Sequence, residues 1–239
     1  MFSVYTKSTI TLLFIAPLTT LGQNYFDVMS MTCTEKKGGT VYNAAVDFPV
    51  GGNDAVTQSA KAWIGEVLDV DNTMEDVKTG NMSTDDFAGF LDAVAKDFVE
   101  NNAGARRRVE VTWLYEDPSC VTYEVVTTDR DSVDWTTSDV ACFAKRDGHR
   151  VQLKEIFNCD EQQIKKLMWQ YRGNLRMEVA KADDLYVGNC GFIDGWVVVI
   201  GPAQGTSGAE YRLRYPEIEK WLVPARGEGY LANKTERAF

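Results

Sequence analysis

Hydrophobic and polar positions switch period several times along the chain, and each switch marks an element. Residues 23–36 carry short apolar alternation and run into a polar turn at Glu35-Lys36-Lys37-Gly38-Gly39. Between Thr40 and Val50, the residues Val41, Ala44, Val46 and Phe48 predict a strand, which Pro49 and Gly51-Gly52 close. From Asp54 the period lengthens. Val56, Ala60, Trp63, Ile64 and Val67 share one helical face, which predicts a helix over 54–68. Ser83 followed by Asp86 is a capping-box pattern, and Phe87, Phe90, Leu91, Val94 and Phe98 then recur at helical spacing as a core-facing stripe. Strands follow over 109–115, 119–128 and 134–143, joined by short turns and therefore antiparallel. A helix over 159–180 places Ile164, Leu167, Met168, Tyr171, Leu175 and Val179 on one face, with Gly173 weakening it locally. Residues 185–187 read as a short strand, and Trp196 to Ile200 has the β-branched density of a buried one. Pro202 to Gly208 reads as a glycine-rich loop and Tyr211 to Tyr215 as the last strand. Pro216 suits the first turn of a final helix, which Pro224 stops. The fold class is α+β, a largely antiparallel sheet with helices packed on one face.

The stretch from Val140 to Asn158 organises the second half. Val140, Cys142 and Ala144 alternate with their neighbours as in a strand, Asp147-Gly148 makes a tight turn, and Val151 and Leu153 continue as a second short strand. Ile156 and Phe157 lead to Asn158, with Glu161 three residues on, so a helix is expected to start there. The series Asp147-Gly148, Val151-Gln152-Leu153, Ile156-Phe157, Gly191-Phe192, the run Trp196 to Ile200, Gly205, and Tyr215-Pro216-Glu217-Ile218 with Trp221-Leu222 resembles one family of bacterial envelope domains of unknown function. It is similar to the C-terminal extracellular domain of the lysozyme-sensing anti-sigma-V factor, a domain also found beside peptidoglycan deacetylase catalytic domains. The resemblance covers residues 108–223, more loosely 40–223, and its motifs are those of packing and turns. Members often carry a Gly-Gly-Ala-His-like step in the strand before the Asp-Gly turn. Here that place reads Trp135-Thr136-Thr137-Ser138-Asp139, so no role of that step is carried over. The resemblance implies a protein partner or a cell-wall ligand, lysozyme being the partner of that relative.

Residues 1–22 have the form of a secretory leader: Lys7, an apolar run from Ile10 to Leu18, and the small-residue exit Thr19-Thr20-Leu21-Gly22. A secreted or periplasmic location is expected. Residues 23–107, with strand and two helices, and residues 108–223 are expected to pack as one unit, and residues 224–239 to form a tail. The net charge of −10 argues against nucleic acid and anionic membrane surfaces, which call for a basic face. The basic run Arg106-Arg107-Arg108 reads as a strand entry or an internal charge partner rather than an anion site. Cys33, Cys120, Cys142, Cys159 and Cys190 show no C-x-x-C spacing, so no metal site is expected. With the hairpin turning at Asp131, Cys120 would face Cys142 directly and form a disulfide; Cys159 with Cys190 is the next pairing.

Catalytic patterns are sparse. His149 is the only histidine and sits at a turn, a poorly preorganised place for a Ser-His-Asp or Cys-His arrangement. There is no P-loop or G-x-G-x-x-G, and no cofactor is implied. The acidic stretch 69–81 lacks the Gly and Glu of a calcium loop, which are Met74 and Gly80 here. The expected function is an exported, non-enzymatic binding or sensing module of a bacterial cell envelope. Its candidate contact surface is Gln204, Gly205 and Thr206 of the 202–208 loop, with Trp135 and Trp196. The alternative is a cell-wall glycan hydrolase using two convergent carboxylates.

Overall fold

The computed structural model describes residues 11–13, 26–68, 80–130, 134–176 and 179–223. The leader, the acidic connector, the Asp131 turn and the tail fall largely or wholly outside the described residues. The chain divides into two compact units, Met1–Trp113 with Val125–Thr136, and Leu114–Glu124 with Thr137–Phe239. Most strand pairs are antiparallel, and the architecture is α+β.

In the first unit, β1 (Thr11–Leu13), β2 (Asp27–Lys37) and β3 (Thr40–Gly51) lie in that order, antiparallel. Lys37 pairs with Thr40, leaving Gly38 and Gly39 as a two-residue turn at φ 57° and 97°. A turn with two positive φ values matches the twist of a hairpin and favours glycine at both places. Residues Thr40, Tyr42, Ala44, Val46 and Phe48 of β3 are buried at strand period. Helices α1 (Asp54–Leu68) and α2 (Thr84–Asn101) cover β3, and α2 also covers β2. Phe48 stacks on Phe87 at 4.0 Å between centroids, and Tyr42 meets Phe98 at 5.4 Å. Such ring pairs add on the order of 1 kcal/mol each beyond the area they bury. The capping box of α2 is present: Ser83 Oγ accepts from Asp86 N–H at 3.2 Å, and Asp86 Oδ2 accepts from Ser83 N–H at 3.2 Å.

Strand β4 (Arg106–Glu116) pairs with β3 in parallel, Val41 opposite Arg106 through Val46 opposite Val111. Two helices intervene between β3 and β4, and a crossover of that length returns the chain parallel, which a short turn does not do. The basic run is divided by the pleat. Arg107 donates from Nε and Nη2 to Asp129 at 2.6 and 3.1 Å and lies 4.8 Å over the Phe98 ring, while exposed Arg108 reaches Glu110 at 2.7 Å. Arg107 is an internal charge partner and a lid on the α2 core at once.

In the second unit the strands β5 (Cys120–Arg130), β6 (Asp134–Ala144), β9 (Thr206–Arg214), β8 (Trp196–Ala203) and β7 (Cys190–Ile193) are neighbours in that order, with β5 and β6 contributing only their residues up to Glu124 and from Thr137. The turn into β5 is held by Asp117, whose Oδ1 accepts from the N–H groups of Ser119 and Cys120 at 2.8 and 2.9 Å. Lys145 N–H donates to the Ser119 carbonyl at 2.8 Å, and Cys120 begins β5 where Ala144 ends β6. Cys120 therefore lies opposite Ala144, and Cys142 opposite Thr122. This register differs from the expected one by two residues. A two-residue step keeps each side chain on its face but changes its partner. The expected Cys120–Cys142 disulfide is accordingly absent, and none of the five cysteines is joined in a disulfide. Burial pushes the Cys33 thiol up to about 11, and raises Cys190 and half-buried Cys159 as well.

After β6 the expected second strand shrinks to one bridge, Phe143 with Arg150, plus a hydrogen bond from Val151 N–H to the Cys142 carbonyl at 2.7 Å. Leu153 already belongs to a helical turn, α3 (Leu153–Ile156), because Glu155 Oε2 accepts from Gln152 N–H at 2.8 Å and closes the backbone there. His149 fastens this turn: Nδ1 meets Asp147 Oδ1 at 2.5 Å and Nε2 meets Glu155 Oε1 at 2.9 Å. Burial opposes the charged ring, but the bonds to Asp147 and Glu155 and their charges outweigh it and raise the His149 pKa. Helix α4 (Glu161–Gln170) starts at Asp160, whose Oδ1 accepts from Gln163 N–H at 2.8 Å, rather than at Asn158, and Tyr171 caps its end well short of 180. Residues 185–187 form no strand; a 3-10 turn over Ala182–Asp184 precedes them. The expected 202–208 loop is a hairpin, with Ala203 paired to Thr206 across the two-residue turn Gln204-Gly205. Helix α5 (Tyr215–Ile218) carries Pro216 in its first turn. The chain then bridges Leu222 to Phe157 and donates Val223 N–H to the Ile156 carbonyl at 2.8 Å. Phe157, Leu167, Met168, Phe192, Tyr211 and Leu222 share the buried core of this unit.

Alanine at Gly80 places Cβ 2.3 Å from the Gln58 carbonyl oxygen at φ +62°, whereas at Gly104, φ +83°, the new methyl meets nothing within 4 Å. Gly80→Ala is expected to lower the urea midpoint more than Gly104→Ala, with a loss well above ~1 kcal/mol against about 1 kcal/mol. Unfolding without reductant is expected to release five titratable thiols; a count of three would restore a disulfide. The folded pKa of His149 is raised, so its contribution is complete below the unfolded value, about 6.5, and is lost as pH rises through the folded one. The stability gap between the native protein and His149→Gln should therefore be wider at pH 6 than at pH 8.5, measured by denaturant titration.

Candidate binding surface

The β8–β9 hairpin places the residues singled out from the sequence. Gln204 and Gly205 are exposed at the tip and Thr206 is half-buried beside them. The tip is braced from two sides. Gln204 N–H donates to the Arg176 carbonyl at 2.7 Å, and the Tyr211 hydroxyl donates to the Pro202 carbonyl. Thr206 Oγ1 donates to the Gly208 carbonyl at 2.5 Å and accepts from Gly208 N–H at 3.2 Å. Gln204 therefore offers a side chain on a fixed backbone, while the Thr206 hydroxyl is engaged in holding the turn.

Trp196 stands apart from this group. Trp196 opens β8, seven residues before Ala203, which is about 23 Å along a strand. Trp135 belongs to the first unit, and 43% of it is exposed. The aromatic ring at the hairpin is instead Tyr186, 44% exposed, whose hydroxyl donates to the Ser207 carbonyl. Sequence reasoning passed over it because Leu185 to Val187 carries only a short apolar alternation, and its partner lies 21 residues further on.

A polar cluster adjoins the same hairpin. Gly208 lies so close to β6 that a Cβ on it would sit 2.3 Å from the Ser138 carbonyl oxygen. The next residue, Asp139, is surrounded by donors. Its Oδ1 accepts from Val140 N–H at 2.8 Å and from Asn189 Nδ2 at 2.7 Å, and its Oδ2 from Asn189 Nδ2 at 2.9 Å and Arg150 Nη2 at 3.3 Å. Arg150 Nη2 also donates to the Val140 carbonyl at 3.0 Å. Burial, reinforced by the Asp139 charge, raises the Tyr186 phenol. Tyr186, Asp139, Asn189 and Arg150 thus form a surface of fixed orientation.

Asp86 and Asp147 are held below the usual carboxylate range, through hydrogen bonds from Ser83 and His149. Buried Asp117 is engaged by Ser119, Cys120 and the Tyr115 hydroxyl. Among the described residues no group of three or more His, Cys, Asp or Glu is placed to hold a metal ion, and no helix is long and apolar enough to cross a membrane.

No protein-family model and no curated protein matches the sequence. Solved structures do share the fold. A member of the DUF3298 family from Bacteroides fragilis is 10% identical with a TM-score of 0.53, over 86% of this chain and 96% of that one. A DUF3298 family protein from Pseudomonas aeruginosa is 8% identical with a TM-score of 0.52, over 85% and 96%. The chain has the fold of these domains of unknown function.

Proposed function

We propose that the chain is an exported, non-enzymatic binding or sensing module of a bacterial cell envelope, which engages a protein or cell-wall ligand through the β8–β9 hairpin and Tyr186. The observation that carries this reading is the exposed Tyr186 ring tied by its hydroxyl to Ser207. An exposed aromatic side chain is a common binding anchor, and one already held in place loses little rotamer freedom when a ligand covers it. Export rests on the leader pattern of residues 1–22. The partner class rests on the resemblance to the anti-sigma-V extracellular domain. A lysozyme-like protein and peptidoglycan are the two ligands to try.

Purified protein is expected to retain one of the two in a pull-down read by mass spectrometry. Tyr186→Ala and Gln204→Ala should weaken that capture, and Gln204→Ala should leave the melting temperature unchanged because only its backbone braces the turn. Thr206→Ala removes two turn contacts and should cost about 1 kcal/mol of stability besides. Undiminished capture by all three variants sinks the surface, and loss of glycan mass on incubation would favour an enzyme.

A further inference from the structure

We propose that Asp139, Asn189, Arg150 and Tyr186 form a subsite for a neutral saccharide ring, which narrows the binding reading above and rests on it. A carboxylate only accepts, so the Asn189 amide group facing Asp139 is the Nδ2 donor, bridging both carboxylate oxygens at 2.7 and 2.9 Å. The Oδ1 acceptor of exposed Asn189 then points away from Asp139. Arg150 approaches the same carboxylate through Nη2 alone, which it shares with the Val140 carbonyl. Its Nη1 and Nε donors are thus left over from the contact with Asp139. One carboxylate therefore anchors both the exposed Asn189 amide and the half-buried Arg150 guanidinium, and a sugar hydroxyl, which both donates and accepts, matches an amide acceptor and guanidinium donors held by the same group.

Charge and shape point the same way. The Arg150 charge is balanced by Asp139, so a neutral ligand can cover the pair without bringing an uncompensated charge out of water. An anionic or cationic ligand would upset that balance. Tyr186 supplies the flat apolar face that the carbon-bound hydrogens of a pyranose ring need, and the bond to Ser207 keeps it from turning away. The contact of Gly208 with Ser138 holds that part of β9 beside Asp139. The polar pair orients the ring and the aromatic face supplies contact area, the division of labour usual at small-ligand sites.

The probe is a soluble oligomer of N-acetylglucosamine titrated into the purified protein by calorimetry. Binding is expected, weakened at least about tenfold by Asn189→Ala and by Tyr186→Ala, and to a smaller extent by Tyr186→Phe, which retains the ring but loses the bond to Ser207. Asn189→Ala removes one exposed side chain, and an unchanged melting temperature would separate its effect from misfolding. Absence of heat with the native protein, or an affinity unchanged from native in Asn189→Ala and Tyr186→Ala, overturns the subsite. Protein capture in the pull-down with no response to the oligomer overturns the saccharide subsite and leaves the binding module standing, whereas silence in both experiments removes the module as well.

Discussion

The candidate surface depends on one close approach, that of the Gly208 backbone to the Ser138 carbonyl. A side chain at that position would sit 2.3 Å from a backbone oxygen and force the strands apart. Its absence lets Ser207 receive the Tyr186 hydroxyl while Asp139, one residue beyond Ser138, gathers Asn189 and Arg150. Four segments distant in sequence thus meet because one residue takes no space. The geometry is held by packing and by satisfied hydrogen bonds, the condition under which a polar cluster stays fixed.

The first unit follows from periodicities short enough to read along the chain. Helix α1 lies at its expected bounds because five apolar positions share one face, and α2 starts at Ser83 because a two-sided cap leaves the backbone little choice. The buried stripe of Phe87, Phe90, Leu91, Val94 and Phe98 needs no tertiary information, since each side chain has another of the stripe three or four residues away. The parallel pairing of β3 with β4 is another matter. Local spacing says that a strand forms and not which neighbour it finds, and the direction is set by two intervening helices.

The second unit shows where local reading stops. A hairpin register hangs on the position of one turn, and a shift of two residues replaced Cys142 by Ala144 opposite Cys120. Leu153 fits a strand by alternation, yet the Glu155 carboxylate captured the Gln152 N–H and turned the chain into a helix. Tyr186 and Asn189 carry no signal of their own; their partners Ser207 and Asp139 lie 21 and 50 residues away. The turn residues Gln204 to Thr206 were legible because Gly205 lies between two apolar runs, but their surroundings were not.

A core built without disulfides changes how this chain reaches its native state. Four of the five cysteines are buried in cores that pack without any sulfur–sulfur bond. No disulfide narrows the unfolded ensemble, so native stability must come from noncovalent contacts. Folding then waits on no oxidant and no reshuffling of crosslinks, whose exchange is slow compared with hairpin and helix formation.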